Sequence, residues 1–312
     1  MTAFVVVNPR SGNGRTLRDW KLTERQLGAV YPHMSVVFTE RGGQATALVR
    51  AALREGHHEI VAIGGDGTIN EAVNGMFVGD GPLNPDAVFA FVTSGTGGDF
   101  RKSFGIGAGT EAAITRLRTA GVKACDVGRV SCLTARGAPA MRYFINIASF
   151  GLSGVIVEKV NRARIAKLFG GPFAFAFHSA AAMLTYRNTP LRILVDGKDD
   201  EIATIGTAAI ANGQYFGGGM RVAPGAAVDD GLFDVVIMGG TPKGQALSEM
   251  KLIYSGEHIH KPHVRVLRGR KVVVAPVAET RGRAVYIETD GESAGRLPAT
   301  FEILPRALNL RC

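Results

Sequence analysis

Along the first hundred residues, apolar runs repeatedly break off into glycine. Phe4 to Val7 leads into Asn8-Pro9-Arg10-Ser11-Gly12-Asn13-Gly14-Arg15, Ile60 to Ile63 into Gly64-Gly65-Asp66-Gly67-Thr68-Ile69-Asn70-Glu71, and Val88 to Val92 into Thr93-Ser94-Gly95-Thr96-Gly97-Gly98-Asp99-Phe100. Each reads as a strand opening into a polar loop. Helical spacing follows the loops: Ile69, Ala72 and Val73 after the central one, Leu17, Trp20, Leu22 and Leu27 after the first. Ser35 to Thr39 reads as a further strand, Ala45 to Arg54 as a helix, and Thr110 to Ala120 as a helix stopped by Gly121. Such alternation predicts an α/β domain with a mostly parallel sheet covered on both faces.

From Val122 the pattern changes. Short strand-like runs dominate at Lys123–Val130, Arg142–Ala148, Leu191–Val195, Thr204–Asn212, Leu232–Met238, Lys271–Pro276 and Ala284–Thr289. A helical pair, Gly154–Lys167 and Phe173–Tyr186, interrupts them. This spacing predicts an antiparallel β-sandwich. The expected fold class is therefore α/β plus all-β, with a nucleotide-binding domain over residues 1–127 and a sandwich domain over 128–296.

Gly64, Gly65 and Gly67 let the backbone approach a ligand, and the free amides of the next helical turn offer hydrogen bonds and partial positive charge. A phosphate is the natural guest. A plain strand-to-helix turn capped by Asp66 or Thr68 accounts for the same letters. Three such strand ends, however, point to one shared nucleotide site, because ligands of open α/β sheets sit beyond the carboxyl ends of the strands. Neither G-x-G-x-x-G nor G-x-x-x-x-G-K-[ST] follows the first strand, which argues against an ordinary dehydrogenase or P-loop enzyme.

Composition narrows the setting. The 312 residues, 46% hydrophobic, suffice for a substantial core. Three cysteines, Cys125, Cys132 and Cys312, make no metal-ligand pattern and no even disulfide framework, so free thiols in a reducing cytosol are expected. No secretion signal precedes the first strand, and Leu168 to Leu184 is interrupted by Gly170, Gly171, Pro172 and His178, so a soluble protein is expected. Residues 126–312 hold 23 basic against 16 acidic side chains and carry +7 of the formal +9. That charge suits nucleotide, anionic lipid or nucleic acid, yet no nucleic-acid-binding module is present.

The ordered set NPRSGNG, FTERGGQA, GGDGTINE and SGTGGDF resembles the catalytic domain of the diacylglycerol and sphingosine kinase superfamily, itself related to NAD kinases and phosphofructokinases through GGDGT. The resemblance continues through FINIASFG, ANGQYFGGG, DDGLFD and DGE, is nearest to the bacterial soluble lipid kinases, and covers nearly the whole chain. It implies an NAD kinase/phosphofructokinase-like first domain, to which residues 297–312 return. It implies ATP held by the amides of Gly64, Gly65, Asp66, Gly67 and Thr68, with Asn8, Thr39, Asn70 and Thr96 bordering the nucleotide. Thr39 also reads as an ordinary strand-end residue. Asp66 either meets a metal through water or fixes its loop by accepting backbone hydrogens.

For catalysis the resemblance singles out Asp290 as general base, with Glu292 a rival for that role; a hydroxyl needs a carboxylate within hydrogen-bond reach to take its proton. Read alone, the same turn is a hairpin. A structural Mg²⁺ is implied on Asp230 and the carbonyls of Ala227 and Leu232, with Asp126 in its water network; such oxygens suit a hard cation. One departure stands out: Gly98 occupies the place of the family's usual asparagine.

Glu158 to Phe177 combines Lys159, Arg162, Arg164 and Lys167 with Leu168, Phe169, Phe173, Phe175 and Phe177. It suits an anionic membrane surface, and equally a helix packed on the sandwich. His258 to His263 reads as a solvated basic loop. The expectation is thus a cytoplasmic, peripherally membrane-associated lipid kinase using ATP and Mg²⁺, without nucleic-acid partners and compatible with a homodimer. An NAD kinase, or a nucleotide- or lipid-binding regulator without turnover, are the alternatives.

Overall fold

Strands buried on both faces carry continuous apolar runs, and the first lobe is built on them. In a computed structural model describing residues 2–93, 98–107, 109–162, 186–278 and 284–312, β1 (Thr2–Val7) and β3 (Glu59–Gly64) are buried almost throughout. β1 pairs in parallel with β2 (His33–Phe38) and with β3, and β3 pairs in parallel with β6 (Val88–Thr93). The helices α1 (Arg15–Arg18), α2 (Trp20–Gly28), α3 (Gln44–Arg54), α4 (Asp66–Met76), α5 (Asp99–Ser103) and α6 (Thr110–Leu117) connect them, with a small ladder of β4 (Phe77–Val78) and β5 (Gly81–Pro82) after α4. Ala45, Val49, Ile69 and Val73 press α3 and α4 onto one face of the sheet, while Trp20, Leu27 and Leu117 cover the other.

The second lobe is mixed with much sheet and pairs antiparallel. It comprises β7 (Val122–Leu133), β8 (Pro139–Phe144), β9 (Ile147–Gly151), α7 (Leu152–Arg162), β10 (Thr189–Val195), β11 (Asp199–Ala211), β12 (Phe233–Gly239), α8 (Lys243–Ser255), β13 (Val264–Gly269), β14 (Lys271–Pro276), β15 (Tyr286–Thr289) and β16 (Glu292–Arg311). Phe144, Phe150, Phe233 and Phe301 fill its core.

β16 and β7 form a ribbon running through both lobes, from the pair Arg296 with Leu133 to Arg311 with Val122. Leu297, Ala299, Phe301 and Ile303 pack in the second core, whereas Leu308 and Leu310 pack in the first, where Asn309 and Leu310 pair with β6. The return to the first lobe therefore comes after residue 303 rather than at 297.

Other expectations shift for local reasons. The run from Arg142 is two strands, broken where the Ile145 and Asn146 amides turn toward Asp290. The first helix breaks at Asp19. α8 escaped the sequence reading because Met250 and Tyr254 are exposed and its apolar residues do not mark one face. The basic loop expected around His258 is instead a 3-10 turn, Glu257–His260, leading into β13. His258 is buried with Nε2 3.0 Å from the Val222 carbonyl, and burial pushes its pKa down. Cys125 and Cys132 are buried free thiols. No helix among the described residues is long and apolar enough to cross a membrane.

Candidate active site

Two of the glycine loops meet at the carboxyl ends of β1 and β3. Asn8 Nδ2 donates to Thr68 Oγ1 at 3.0 Å, binding the first loop to the first turn of α4. The second loop is tied in by Glu71, whose Oε1 accepts from the Gly43 amide at 2.7 Å and whose Oε2 accepts from Ala45 at 3.3 Å. A carboxylate there satisfies the orphan amides of α3 and the positive end of its dipole. Asn8, Arg10, Thr39, Arg41, Thr68 and Glu71 line a polar cavity of about 100 Å³. Pockets that enclose a whole small molecule run to about 300–1,000 Å³, so this one has room only for a single small group. Thr39 is buried and donates its amide to the Val7 carbonyl at 2.8 Å. Thr96, expected to border the nucleotide, lies outside the described residues, as does the basic and aromatic stretch from Arg164 to Phe177.

Asp66 opens α4. Its Oδ2 accepts from the Gly98 amide at 2.9 Å, so it does fix the third loop. Its Oδ1 is buried without a hydrogen-bond partner among the described residues, and burial is the main cause that raises its pKa. A buried carboxylate oxygen without a donor is the kind of atom a cation satisfies. Gly98 adopts φ +77° at the start of α5, a conformation asparagine also tolerates. Asp99, next in the chain, pairs with Lys102 at 2.8 Å and accepts from the Gly218 amide at 2.7 Å, holding the NGQYFGGG loop against α5.

The second lobe delivers Asp290 to the same region. Its Oδ1 accepts from the amides of Asn146 at 3.0 Å and Ile147 at 3.1 Å, and its Oδ2 from Asn70 Nδ2 at 2.8 Å and the Ile145 amide at 3.0 Å. Asn70 belongs to α4, so this carboxylate spans the lobes. Asn74, one turn on, reinforces the junction: its Nδ2 donates to the Tyr143 carbonyl at 2.9 Å and its Oδ1 accepts from the Tyr143 amide at 3.0 Å. Burial raises Asp290 to about 6, against four donors that favour the charged form.

Beside it, buried Glu288 accepts from Ser149 Oγ and from the Gly291 amide at 2.8 Å, and burial lifts it to about 7. Glu292 is exposed, and its Oε1 stands 2.6 Å from where a Cβ on Gly67 would be.

The supposed metal turn looks different. Asp230 Oδ1 accepts from the Leu232 amide at 3.0 Å, and its other oxygen pairs with Arg268, which also reaches Asp234 at 2.7 Å. As arranged, a guanidinium supplies the positive charge, and a divalent cation on Asp230, Ala227 and Leu232 does not fit without displacing it. Among the described residues no group of three or more His, Cys, Asp or Glu could hold a metal. Asp126 is fully buried and binds protein instead, accepting from the amides of Gly231 at 2.6 Å and Arg306 at 2.7 Å.

Sequence reasoning brought together Asn8, Thr68, Asp66, Asn70, Asp290 and Glu292, but assigned no role to Glu71, Asn74, Lys102 or Glu288. Glu71 and Asn74 could have been found: Glu71 closes the motif itself, and Asn74 follows Asn70 by one turn of the same helix.

Comparison with known proteins follows this division. Residues 2–130 match the diacylglycerol kinase catalytic domain, and residues 146–312 match the YegS C-terminal NAD kinase beta sandwich-like domain. The diacylglycerol kinase of Staphylococcus haemolyticus is 28% identical over 99% of this chain and 87% of its own length. That of Mycobacterium tuberculosis is 26% identical over 98% of this chain and 93% of its own. The crystal structure of a diacylglycerol kinase from Bacillus anthracis has the same fold, with a TM-score of 0.71 at 20% identity over 99% of this chain and 96% of that one.

Proposed function

The chain belongs to the diacylglycerol kinase family, and from that premise we propose that it is an ATP-dependent lipid kinase, transferring the γ-phosphate to a hydroxyl of a lipid such as diacylglycerol or a sphingoid base. The observation that carries this reading is the 2.8 Å hydrogen bond from Asn70, on the helix that opens at the glycine loop, to Asp290 from far down the chain. A phosphate cradle and a distant carboxylate turn thereby face one site, which is the arrangement in-line phosphoryl transfer needs.

In this reading the unpaired amides at the start of α4 hold the phosphates, with Asn8 and Thr68 fixing the loop around them. Asp66 Oδ1 is the atom suited to an Mg²⁺ that arrives with ATP; that cation would neutralise charge on the β- and γ-phosphates. No step is routed through Asp230. A carboxylate of the Asp290–Gly291–Glu292 turn takes the hydroxyl proton, and the lipid approaches from the second lobe. A largely apolar cavity of about 510 Å³, among Leu133, Pro139, Met141, Val273 and Pro298, is large enough to accept part of an acyl chain.

Incubation with radiolabelled ATP, Mg²⁺ and a panel of diacylglycerol, sphingoid, ceramide and phosphatidylglycerol acceptors tests the proposal. Label in at least one lipid is expected. Label in NAD alone, or in nothing while ATP still binds, would overturn it.

A further inference from the structure

Resting on the kinase reading, we propose that a row of hydroxyls beneath α7, ending on Glu288, reads the polar head of the acceptor lipid. It takes a lipid that carries a second hydrogen-bond donor, a hydroxyl or an ammonium, beside the hydroxyl that is phosphorylated.

Glu288 is a buried carboxyl that the transfer step does not use. It closes β15 just before the Asp290 turn, and its Oε2 accepts from the Gly291 amide at 2.8 Å, so the row begins at the turn itself. Its Oε1 accepts from Ser149 Oγ on β9. Ser149 Oγ stands 2.7 Å from Ser153 Oγ in the first turn of α7, and Thr207 Oγ1 on β11 donates to Ser153 Oγ at 3.0 Å. The line is enclosed at Glu288 and Ser149 and half-exposed at Ser153 and Thr207. A helix laid on a sheet ordinarily meets it with an apolar stripe. Here the meeting is polar, and it is close: a methyl group at Gly154 of α7 would collide with the Tyr286 carbonyl of β15.

Proton counting gives the row a direction. A hydroxyl has one proton to donate and two lone pairs to offer. A charged Glu288 takes the proton of Ser149; Ser149 is then left to accept from Ser153, and Ser153 from Thr207. Every proton in the line points inward. The lone pairs left over lie at Ser153 and Thr207, where the row is open, so its outer end is an acceptor that a donor satisfies and an ester oxygen does not.

The surrounding charge has the same preference. Burial lifts Glu288 to about 7, and the charges of Asp290 and Glu292 on its own turn push it the same way. Glu158 of α7 reaches down to the same face, accepting from Ser293 Oγ at 2.9 Å. An acidic wall favours an ammonium or a hydroxyl over a phosphate. Diacylglycerol has an ester where such a donor is wanted, a monoacylglycerol has a hydroxyl there, and a sphingoid base has an ammonium.

The test uses the full chain with radiolabelled ATP in mixed micelles, on the alkaline side of Glu288, with a diacylglycerol, a monoacylglycerol and a sphingoid base as acceptors. Wild-type kcat/KM is expected to be at least about 10-fold higher for a donor-bearing lipid than for the diacylglycerol, the worth of one well-made hydrogen bond. The monoacylglycerol reports a hydroxyl donor and the sphingoid base an ammonium. Ser153→Ala and Thr207→Val each remove one half-exposed hydroxyl and are expected to close most of that gap, with KM for ATP unchanged; using both guards against a fold defect in either. Diacylglycerol labelled as fast as the other two lipids by the wild type would overturn the proposal. So would variants that leave the ranking of acceptors unchanged, the mark of a row that only holds α7 on the sheet. If the wild type labels no lipid at all, the kinase reading fails first and this assignment falls with it.

Discussion

The turns at Asp290 and Asp230 are both acidic, both followed by glycine and both quoted from the same family resemblance, yet they lead different lives. Asp290 is half-buried at the lobe junction, its charge met by four N–H donors drawn from two separate segments of chain. Asp230 stands in solvent, its charge met by one flexible guanidinium and one local amide. Those donors make the first carboxylate costly to alter, since each of them would be left unpaired. Solvent makes the second nearly dispensable, since water replaces what is removed.

The largest effect expected is at the junction turn. Asp290→Ala strands four donors at the lobe junction and should destabilise the fold by about 3 kcal/mol or more, read from urea unfolding. A wild-type midpoint in that variant would mean the junction does not depend on this carboxylate. Next comes its neighbour. The pKa of Glu288 is raised from its unfolded value, so its contribution is fully present below about pH 4.5 and is lost as pH rises through about 7. Wild-type Tm should therefore fall across that window, and Glu288→Gln should flatten the curve; parallel curves would exclude Glu288 as the titrating group.

At the open turn, Asp230→Asn should cost less than about 1 kcal/mol and leave Mg²⁺ dependence of thermal stability unchanged, as measured by melting with and without chelator. A large stability loss that Mg²⁺ prevents in wild type alone would restore the metal reading. The smallest change is Gly98→Asn. The left-handed backbone at this position suits asparagine, and its Cβ would meet only the flexible side chain of Arg101, 2.8 Å from Nε. A modest drop in KM for ATP is expected, and an unchanged value would show that an amide there adds nothing to nucleotide binding.

Legibility in the sequence tracked how local the physical cause was. Gly64 to Glu71 announced a strand, a loop and a helix, because an apolar run, glycines and helical spacing are all short-range signals. The strand-rich character of the second lobe was legible for the same reason. What Asp126 does was not: its donors come from Gly231 and Arg306, far along the chain, and no spacing encodes that meeting. The Arg268–Asp230–Asp234 cluster was missed likewise, since β12 and β13 must pair before those charges become neighbours. β13 itself was left out of the strands read from the sequence because Arg265 and Arg268 protect an edge strand with charge, which looks in sequence like a solvated basic segment. Asp290 was picked out through family likeness; its four hydrogen bonds required coordinates.

The β7–β16 ribbon has a practical corollary. A fragment cut at residue 130, where the first matched region ends, keeps one strand of the ribbon and loses the other, and with it the segment that covers the edge of β6. Such a piece would carry an open, apolar sheet margin prone to self-association. The two matched regions are therefore units of descent rather than of autonomous folding, and the intact polypeptide should melt in a single cooperative transition.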